Sequence, residues 1–396
     1  MGGPLSGIRV LDLSRALAGP FCTMMLGDMG AEVIKVESPD GGDDSRAWAP
    51  PYIGKESAYF LSCNRNKKSI ILNLRSEGAK KILTELIKIS DVVVENFRPG
   101  TMKKMGFPYE TIKAINPKVI FGSITGFGNK GPDSQKPGFD LIAQGMSGFM
   151  SFTGEVGGGP LKVGVAIADI NSGMFLAYGI LAALYNRERT GEGQVVETSL
   201  FETMISELTF QAGRYFATGV APKPEGNRHP LIAPYESFAC QDGYINIAAG
   251  NDNLFAKVCG SIGLKECEKD PRFQNNGLRV KNREALISTI EAKTKSYKVK
   301  DLQKILDGAG IPNGPIWSVD QTLTSEQAYA LDMIKEVNHA TCGKIKVTGV
   351  PVKLSKTPGA VVMAPPTLGQ HTQEILTQVL GYSTADVERL KKEGAI

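Results

Sequence analysis

The sequence predicts an α/β fold: a large domain built on a mainly parallel, Rossmann-like sheet, joined to a smaller α/β domain. Three observations carry this prediction. Strand-like and helix-like segments alternate through the first half of the chain, a stretch rich in Pro and Gly follows, and the alternation then resumes. Right-handed βαβ units join such strands into a parallel sheet covered on both faces. Ligands of these sheets bind at the carboxyl ends of the strands.

The first half supplies the strands of the predicted sheet, and each strand is a short run rich in β-branched residues. Strands are predicted at IRVLDLS (8–14), AEVIKVE (31–37), SIILNL (69–74), DVVVENF (91–97) and VIFGSITGF (119–127). Helices are predicted between them at GPFCTMMLGDMG (19–30), EGAKKILTELIKIS (77–90) and YETIKAIN (109–116). The loops that end the strands, where a ligand is expected, are 14–20, 75–78, 96–100 and 126–140.

A long helix is predicted next, over DINSGMFLAYGILAALYNRERTG (169–191). It is apolar almost all round, which predicts that it is buried, and it ends in basic residues and Gly191 as helices commonly do. A strand is expected at 194–200 and one further helix at 201–217.

The composition changes at GVAPKPEGNRHPLIAPY (219–235), which is typical of a linker. We therefore divide the chain into a large domain (1–218), a linker (219–235), a small domain (236–325) and a segment that returns to the large domain (326–396). Within the small domain a strand is expected at 244–250, followed by a helix from Asn253 and charged helices near 283–297 and 299–308.

Composition narrows the class of protein. The 396 residues are 42% hydrophobic and 22% charged, which is ordinary for a globular protein, and the net charge of +4 is too small to indicate a nucleic-acid partner. Six cysteines without CxxC pairs indicate reduced thiols and neither disulfides nor zinc. The start MGGPLSGIRVLDLS lacks the pattern of a signal peptide, and no apolar run reaches membrane-spanning length. The expectation is a cytoplasmic protein with no membrane partner and no metal.

Asp169 is the most conspicuous candidate nucleophile. The sequence has no phosphate-binding loop, no GxGxxG at the first strand-helix turn, and no GxSxG or HExxH motif. It has only three histidines, widely separated, which argues against a histidine triad or metal site. Asp169 stands at the predicted start of the long helix, so a role as helix N-cap is the plain alternative. The two roles are compatible, because a helix N-terminus is expected to keep the carboxylate ionised.

The chain resembles the class III CoA-transferases along nearly its whole length. The resemblance rests on the opening PLSGIRVLDLSRALAGPFCTMMLGDMGAEVIKVE, on DVVVENFRPGTMKKMGF, on PGFDLIAQGMSGFMSFTG, on DINSGMFLAYGILAALYNRERTGEGQ and on APPTLGQHT, in this order. It implies that Asp169 attacks an acyl-CoA and forms a mixed anhydride and then an aspartyl-CoA thioester. It also implies an interlocked homodimer, coenzyme A as part of the substrate, and a carboxylic acid as acceptor. The sequence most resembles the members of the family that use dicarboxylic acids.

The same resemblance assigns residues to CoA and to a loop over the site. The CoA residues that it implies are Arg15, Leu17, Ala18, Leu72, Asn73, Leu74, Arg75, Asn96, Phe97, Arg98, Lys104, Lys136, Pro137, Gly138, Phe139 and Asp140. Basic side chains among them suit the CoA phosphates, although any one of them could equally be a solvated charge. The family's glycine-rich loop falls at Ala248, Ala249 and Gly250, where only one glycine remains; an ordinary strand-to-helix turn is the alternative.

Two other functions stay open. An α-methylacyl-CoA racemase of the same family would need a histidine before Asp140 as its second proton carrier. Here that position is Phe139, which favours transfer. A non-catalytic CoA-binding protein would keep the basic loops without needing a carboxylate at position 169.

Overall fold

The computed structural model describes residues 2–396, which form two compact units. The first comprises the residues up to Phe149, Lys162–Thr218 and Glu326–Ile396; the second comprises Met150–Leu161 and Gly219–Ser325. In chain order the strands are β1 Arg9–Asp12, β2 Glu32–Glu37, β3 Tyr52–Ile53, β4 Glu56–Ser57, β5 Lys67–Ile71, β6 Val92–Glu95, β7 Ile120–Thr125, β8 Val195–Ser199, β9 Tyr235–Ala239, β10 Tyr244–Ala248, β11 Asn313–Pro315, β12 Ile334–His339 and β13 Gly343–Thr348.

The helices are α1 Ala18–Asp28, α2 Ala58–Cys63, α3 Glu77–Lys88, α4 Thr101–Lys104, α5 Tyr109–Ile115, α6 Asp140–Met146, α7 Phe149–Phe152, α8 Ile167–Thr190, α9 Leu200–Ser206, α10 Thr209–Thr218, α11 Asp252–Ser261, α12 Lys265–Lys269, α13 Asn276–Lys281, α14 Arg283–Thr294, α15 Val299–Gly308, α16 Val319–Thr324, α17 Glu326–Ala330, α18 Thr372–Glu374 and α19 Thr384–Lys392. A 3-10 turn spans Asp44–Ala47 and a π-helical turn spans Ile375–Val379.

The first unit is built on a six-stranded sheet in the order β5-β2-β1-β6-β7-β8, and every neighbouring pair is parallel. This confirms the predicted α/β class with a mainly parallel sheet. Because β1, β6 and β7 are neighbours and run parallel, their carboxyl ends meet at one edge of the sheet. The loops after these strands therefore converge there.

Both faces of this sheet are buried, as parallel strands require. Leu11 packs on one face with Ile82 of α3 and Leu390 of α19, while its neighbour Val10 packs on the other face with Ile180 of α8. All four of the side chains Val10, Leu11, Ile82 and Ile180 have no exposed surface. Each contributes roughly 1.5–3 kcal/mol by leaving water, so both faces of the sheet contribute to the stability of the unit.

Helix α8 differs from its prediction in one respect. It ends at Thr190, and the C-cap Gly191, with a left-handed φ of 75°, closes it as expected. Only one of its faces is buried, however. The exposed apolar side chains of α8 are Met174, Phe175, Tyr178, Leu181 and Tyr185. One face packs on α1 and the sheet, and nothing in the unit covers the opposite face.

Two further predictions need correction. Within residues 2–396, α8 is the one helix whose length and hydropathy would suit a membrane span, a property that core helices of soluble proteins share. The expectation that no segment reaches this length is therefore wrong. The helix predicted at 201–217 is two helices, α9 and α10, because the backbone at Thr209 adopts a left-handed φ of 40° and interrupts the helical hydrogen bonds.

The second unit is a three-stranded antiparallel sheet, β11-β10-β9, covered by helices. Its core joins Phe238 and Ile245 of the sheet to Val258 of α11 and Leu302 of α15, all fully buried. The fully buried guanidinium of Arg279 donates to the carbonyl oxygens of Ala233 and Phe273, so its charge is hydrogen-bonded.

Candidate functional site

A cavity of about 400 Å³ lies in the first unit at the carboxyl-end edge of the parallel sheet. Its wall is formed by the loops after β1, β6 and β7, by the start of α9 and by the first turn of α8. The predicted site residues that line it are Arg15, Ala18, Asn96, Phe97, Arg98, Lys136, Pro137, Gly138, Phe139 and Asp169. The structure therefore brings the candidate nucleophile together with three of the predicted basic residues.

A second cavity of about 320 Å³ shares two wall residues, Arg15 and Phe97, with the first. It contains the predicted residues Leu72, Asn73, Leu74 and Arg75. The Arg15 guanidinium lies over the Phe97 ring, 5.4 Å from its centroid, so this pair forms the boundary between the two cavities.

The remaining predicted residues do not line either cavity. Leu17 is buried at the start of α1, Lys104 is exposed at the end of α4, and Asp140 lies behind Phe139 at the first position of α6. Ala248, Ala249 and Gly250 belong to the second unit. There the Ala249 N–H donates to the Pro234 carbonyl oxygen at 2.9 Å, and a role over the site stays a prediction.

Asp169 is half-buried in the first turn of α8, and it is not the N-cap. The N-cap is Ala166, so the capping role expected for Asp169 is wrong. Burial, and then the negative charge of Asp140, raise the pKa of Asp169 to about 7. The direction of this shift is opposite to the one expected from a helix N-terminus. The group changes charge near neutral pH.

The loop that carries Arg15 is held at several backbone atoms. Asn96 accepts from the Arg15 N–H at 2.8 Å and donates to the Arg15 carbonyl oxygen at 2.7 Å. Asp43 accepts from the N–H of Ala16, whose φ of 66° is left-handed and needs such support. Lys35 donates to the Ser14 carbonyl oxygen at 2.9 Å. The cavity wall on this side is therefore preorganised.

A buried ion pair between Lys35 and Asp43 stabilises the same loop. Lys35 Nζ lies 2.8 Å from Asp43, and both side chains are fully buried. Burial by itself would lower the pKa of Lys35, but the carboxylates of Asp43 and Asp12 outweigh it and raise that pKa. Since removing either partner would leave a buried charge unpaired, the pair is costly to break.

Two glycines allow the β7 loop and the loop before α6 to touch. A Cβ built on Gly126 would lie 2.5 Å from the Gly138 Cα, and one built on Gly138 would lie 2.3 Å from the Gly126 Cα. Both distances are shorter than any van der Waals contact. This approach sets Gly138 and Phe139 against the end of the sheet, where they line the cavity.

Three aromatic or acidic residues at or near the site were not predicted from the sequence. Trp48 and Asp44 line the cavity, and the Trp48 ring packs edge-on against Tyr59 with centroids 4.9 Å apart. Burial, and then the negative charge of Asp169, raise the pKa of Tyr59. Trp48 is one of only two tryptophans in the chain, a signal that could have been used.

Three predicted phosphate-binding residues have acidic partners. Arg15 lies 3.4 Å from Asp44, Arg75 lies 3.7 Å from Asp40, and Lys136 lies 2.6 Å from Asp133. The basic side chains are all at least half exposed, and exposed pairs contribute only about 0–1 kcal/mol. A phosphate could therefore displace these partners.

Within residues 2–396, no group of three or more His, Cys, Asp and Glu side chains is arranged as a metal site. All six cysteines are free thiols; four are buried, and Cys240 and Cys342 are partly exposed.

Comparisons with known proteins agree with this geometry. The sequence model of CoA-transferase family III matches residues 5–372. The chain is 44% identical to a mouse succinyl-CoA:glutarate CoA-transferase over 99% of its length and 90% of the mouse protein. It is 38% identical to a succinate–glutarate CoA-transferase of Agrobacterium fabrum, covering 95% and 96% of the two chains. A crystal structure of a CaiB/BaiF family protein from Brucella suis superposes with a TM-score of 0.86 at 41% identity, covering 96% and 100%.

Proposed function

The chain belongs to CoA-transferase family III, and from this premise we propose that it moves coenzyme A between two carboxylic acids with Asp169 as covalent nucleophile. The observation that carries the proposal is the position of Asp169. It is a carboxylate in a cavity at the carboxyl ends of parallel strands, among Arg15, Arg98 and Lys136. These cations suit the phosphates of CoA, because guanidinium and ammonium groups form charge-assisted hydrogen bonds with phosphate.

The proposed reaction needs no net proton transfer. The Asp169 carboxylate attacks the carbonyl carbon of the acyl-CoA, the C–S bond breaks, and CoA leaves as the thiolate. The thiolate attacks the Asp169 carbonyl of the mixed anhydride, which releases the donor acid and leaves an aspartyl-CoA thioester. The acceptor carboxylate then attacks this thioester and forms a second anhydride. Return of the thiolate to the acceptor carbonyl gives the new CoA ester and regenerates Asp169.

The pKa of Asp169 suits a carboxylate that acts as a nucleophile. A carboxylate with a pKa of about 7 is more basic than an ordinary aspartate, and it is still largely ionised slightly above neutral pH. Trp48 and Phe139 line the same cavity as Asp169, and Tyr59 packs against Trp48. We expect these aromatic side chains to limit the access of water to the anhydride.

The substrates that we propose are short dicarboxylic acids, with succinyl-CoA as donor and glutarate as acceptor. The mouse and Agrobacterium fabrum relatives, which are named for these substrates, match nearly the full length of the chain. The racemase alternative lacks its second base, since Phe139 carries no titratable proton and lines the cavity where such a base would stand.

The test is an acceptor screen with succinyl-CoA in which new CoA esters are followed by mass spectrometry. Glutaryl-CoA should form with the unmodified protein, and Asp169→Ala should lower its rate on the order of 10³-fold or more. Asp301→Ala is the matched control, because Asp301 is also a first-turn aspartate but lies exposed on α15. An undiminished rate in Asp169→Ala would refute the covalent mechanism.

Two further measurements separate the mechanisms. Hydroxylamine added during turnover should mark Asp169 alone, because it captures the activated aspartyl group. A 2-methylacyl-CoA incubated in deuterated water should keep its α-hydrogen. Rapid exchange with inversion would instead favour the racemase.

A further inference from the structure

The start of α8 depends on a side chain from another helix. Helix termini leave the first N–H groups without intrahelical partners, and the N-cap Ala166 has no side chain that could accept from them. The Ala168 N–H donates to Asp140 Oδ1 at 2.9 Å instead. Asp140 therefore does for α8 what an N-cap residue usually does, although it lies 28 positions earlier in the chain.

Asp140 is itself held by Gln144, one turn along α6. Gln144 Nε2 donates to Asp140 Oδ2 at 2.7 Å, and Gln144 Oε1 accepts from the Val163 N–H at 2.8 Å. Gln144 is fully buried, and both polar ends of its amide are used. The pair Asp140–Gln144 thus ties α6 to both ends of the segment that leads into α8.

This arrangement acts on Asp169, which follows Ala168 directly. Because Asp140 accepts from the helix N-terminus, the Asp169 carboxylate is left to face the cavity. We propose that Asp140, held by Gln144, is the positioning residue for Asp169: it caps α8 in the nucleophile's place and sets a second carboxylate near it. The catalytic meaning of this inference rests on the proposed function.

The like charge of Asp140 then influences protonation. After burial, Asp140 is the second cause of the raised pKa of Asp169. The other ionisable side chains on elements around the two carboxylates are Tyr59 of α2, Arg15, Asp44, Arg98 and Lys136 of the cavity wall, and Glu202 and Glu207 at α9. None of these is replaced in the variants below, so their contributions stay constant.

Two variants separate the hydrogen bonds from the charge. Asp140→Asn removes the negative charge and keeps an oxygen that can accept from Ala168, but its amide nitrogen cannot accept from Gln144 Nε2. Gln144→Met removes both amide contacts and leaves the Asp140 carboxyl group in place. Asp140→Ala removes cap and charge together, and Asp301→Asn controls for the loss of one aspartate charge elsewhere.

The readouts do not depend on turnover. The first is a carbon-13 NMR titration of the aspartate carboxyl groups, with the Asp169 signal assigned by its loss in Asp169→Asn. The second is amide hydrogen exchange over residues 163–170. Asp140→Asn should lower the pKa of Asp169 and should speed the exchange less than Asp140→Ala does, because the Ala168 N–H keeps its acceptor. Gln144→Met should speed the exchange without lowering that pKa, and Asp140→Ala should do both.

Transfer rates provide the link to function. In Asp140→Asn the acidic limb of the rate profile should move to lower pH, by up to about tenfold in rate for each pH unit moved. An unchanged Asp169 titration in Asp140→Asn, or unchanged exchange in Asp140→Ala and Gln144→Met, would overturn the inference. If the protein transfers no CoA but the NMR and exchange results hold, the positioning role stands and the proposed function fails.

Discussion

At the residue scale, the raised pKa of Asp169 has a consequence for stability. An aspartate whose pKa is raised to about 7 favours the neutral form in the folded chain, while the unfolded chain ionises near pH 4. The folded state is therefore destabilised progressively as pH rises from about 4 to 7, and the penalty is constant above that. Asp169→Asn removes the penalty.

We expect Asp169→Asn to melt at a higher temperature than the unmodified protein at pH 8, with a difference that shrinks toward pH 4. The gain at pH 8 should be on the order of 1–2 kcal/mol, because one unit of pKa is worth about 1.4 kcal/mol and cavity water screens part of the effect. Calorimetry across this pH range measures it, with Asp301→Asn as control. A melting-temperature difference that does not vary with pH would contradict the raised pKa.

Residue-level prediction from the sequence succeeded where the signal was local. Asp169 was singled out by its position before a long helix, and it does lie in that helix's first turn and in the cavity. Its supposed capping role failed because the cap comes from Asp140, and no spacing rule relates residues on two different helices. The rarity of tryptophan could have drawn attention to Trp48, but its place in the cavity wall depends on how separate loops fold together.

At the element scale, the contact between Gly126 and Gly138 is a point of high sensitivity. Gly126→Ala or Gly138→Ala places a methyl group against backbone atoms that cannot rotate away. Either change should destabilise the protein by about 1–3 kcal/mol and displace Phe139 and Lys136 along the cavity wall. We expect the kcat/KM for transfer to fall at least on the order of tenfold, since small displacements at a site are costly.

The control is Gly260→Ala in α11, where a Cβ meets open space. It should be neutral or stabilise by about 0.5–1 kcal/mol, because alanine favours helix over glycine. Equal effects of all three changes on activity and on the denaturant midpoint would show that the Gly126–Gly138 contact is not important for activity or stability.

Helices and strands were predicted correctly where the local sequence has a clear hydrophobic pattern. The strands of the parallel sheet were found because residues such as Val92 and Val93 are buried on opposite faces, which yields continuous apolar runs. The division of 201–217 into α9 and α10 was not predictable, because nothing in the composition around Thr209 marks a left-handed residue. The exposed face of α8 was also missed, since a helix that is apolar all round has the same sequence whatever covers it.

At the scale of the whole molecule, that exposed face of α8 supports the expectation of a homodimer. Met174, Tyr178, Leu181 and Tyr185 follow a spacing of four, three and four, so they form one stripe along the helix. Soluble monomers rarely expose a continuous apolar surface of this kind. A second copy of the chain is the occupant that we expect.

Light scattering at micromolar concentration should therefore give twice the mass of one chain. Tyr178→Glu combined with Tyr185→Glu should increase the monomer fraction or cause misassembly, because the charges would be buried in the interface. Glu188→Gln on the same helix is the control, since Glu188 is exposed and polar. A wild-type protein that is monomeric under these conditions would disprove the dimer.

The contact between the Asn73 loop and the end of the chain has a practical consequence. The Asn73 N–H donates to the Ala395 carbonyl oxygen at 2.8 Å, and its side-chain amide donates to the Gly394 carbonyl oxygen at 2.9 Å. Ala395 is fully buried, so residues 394 and 395 hold in place the loop that lines the second cavity. Trimming of the tail by proteases during purification would release this loop while leaving Asp169 intact. If the second cavity holds part of CoA, as the sequence predicts, batches that differ only in such trimming would differ in their affinity for CoA, although Asp169 is unchanged in all of them.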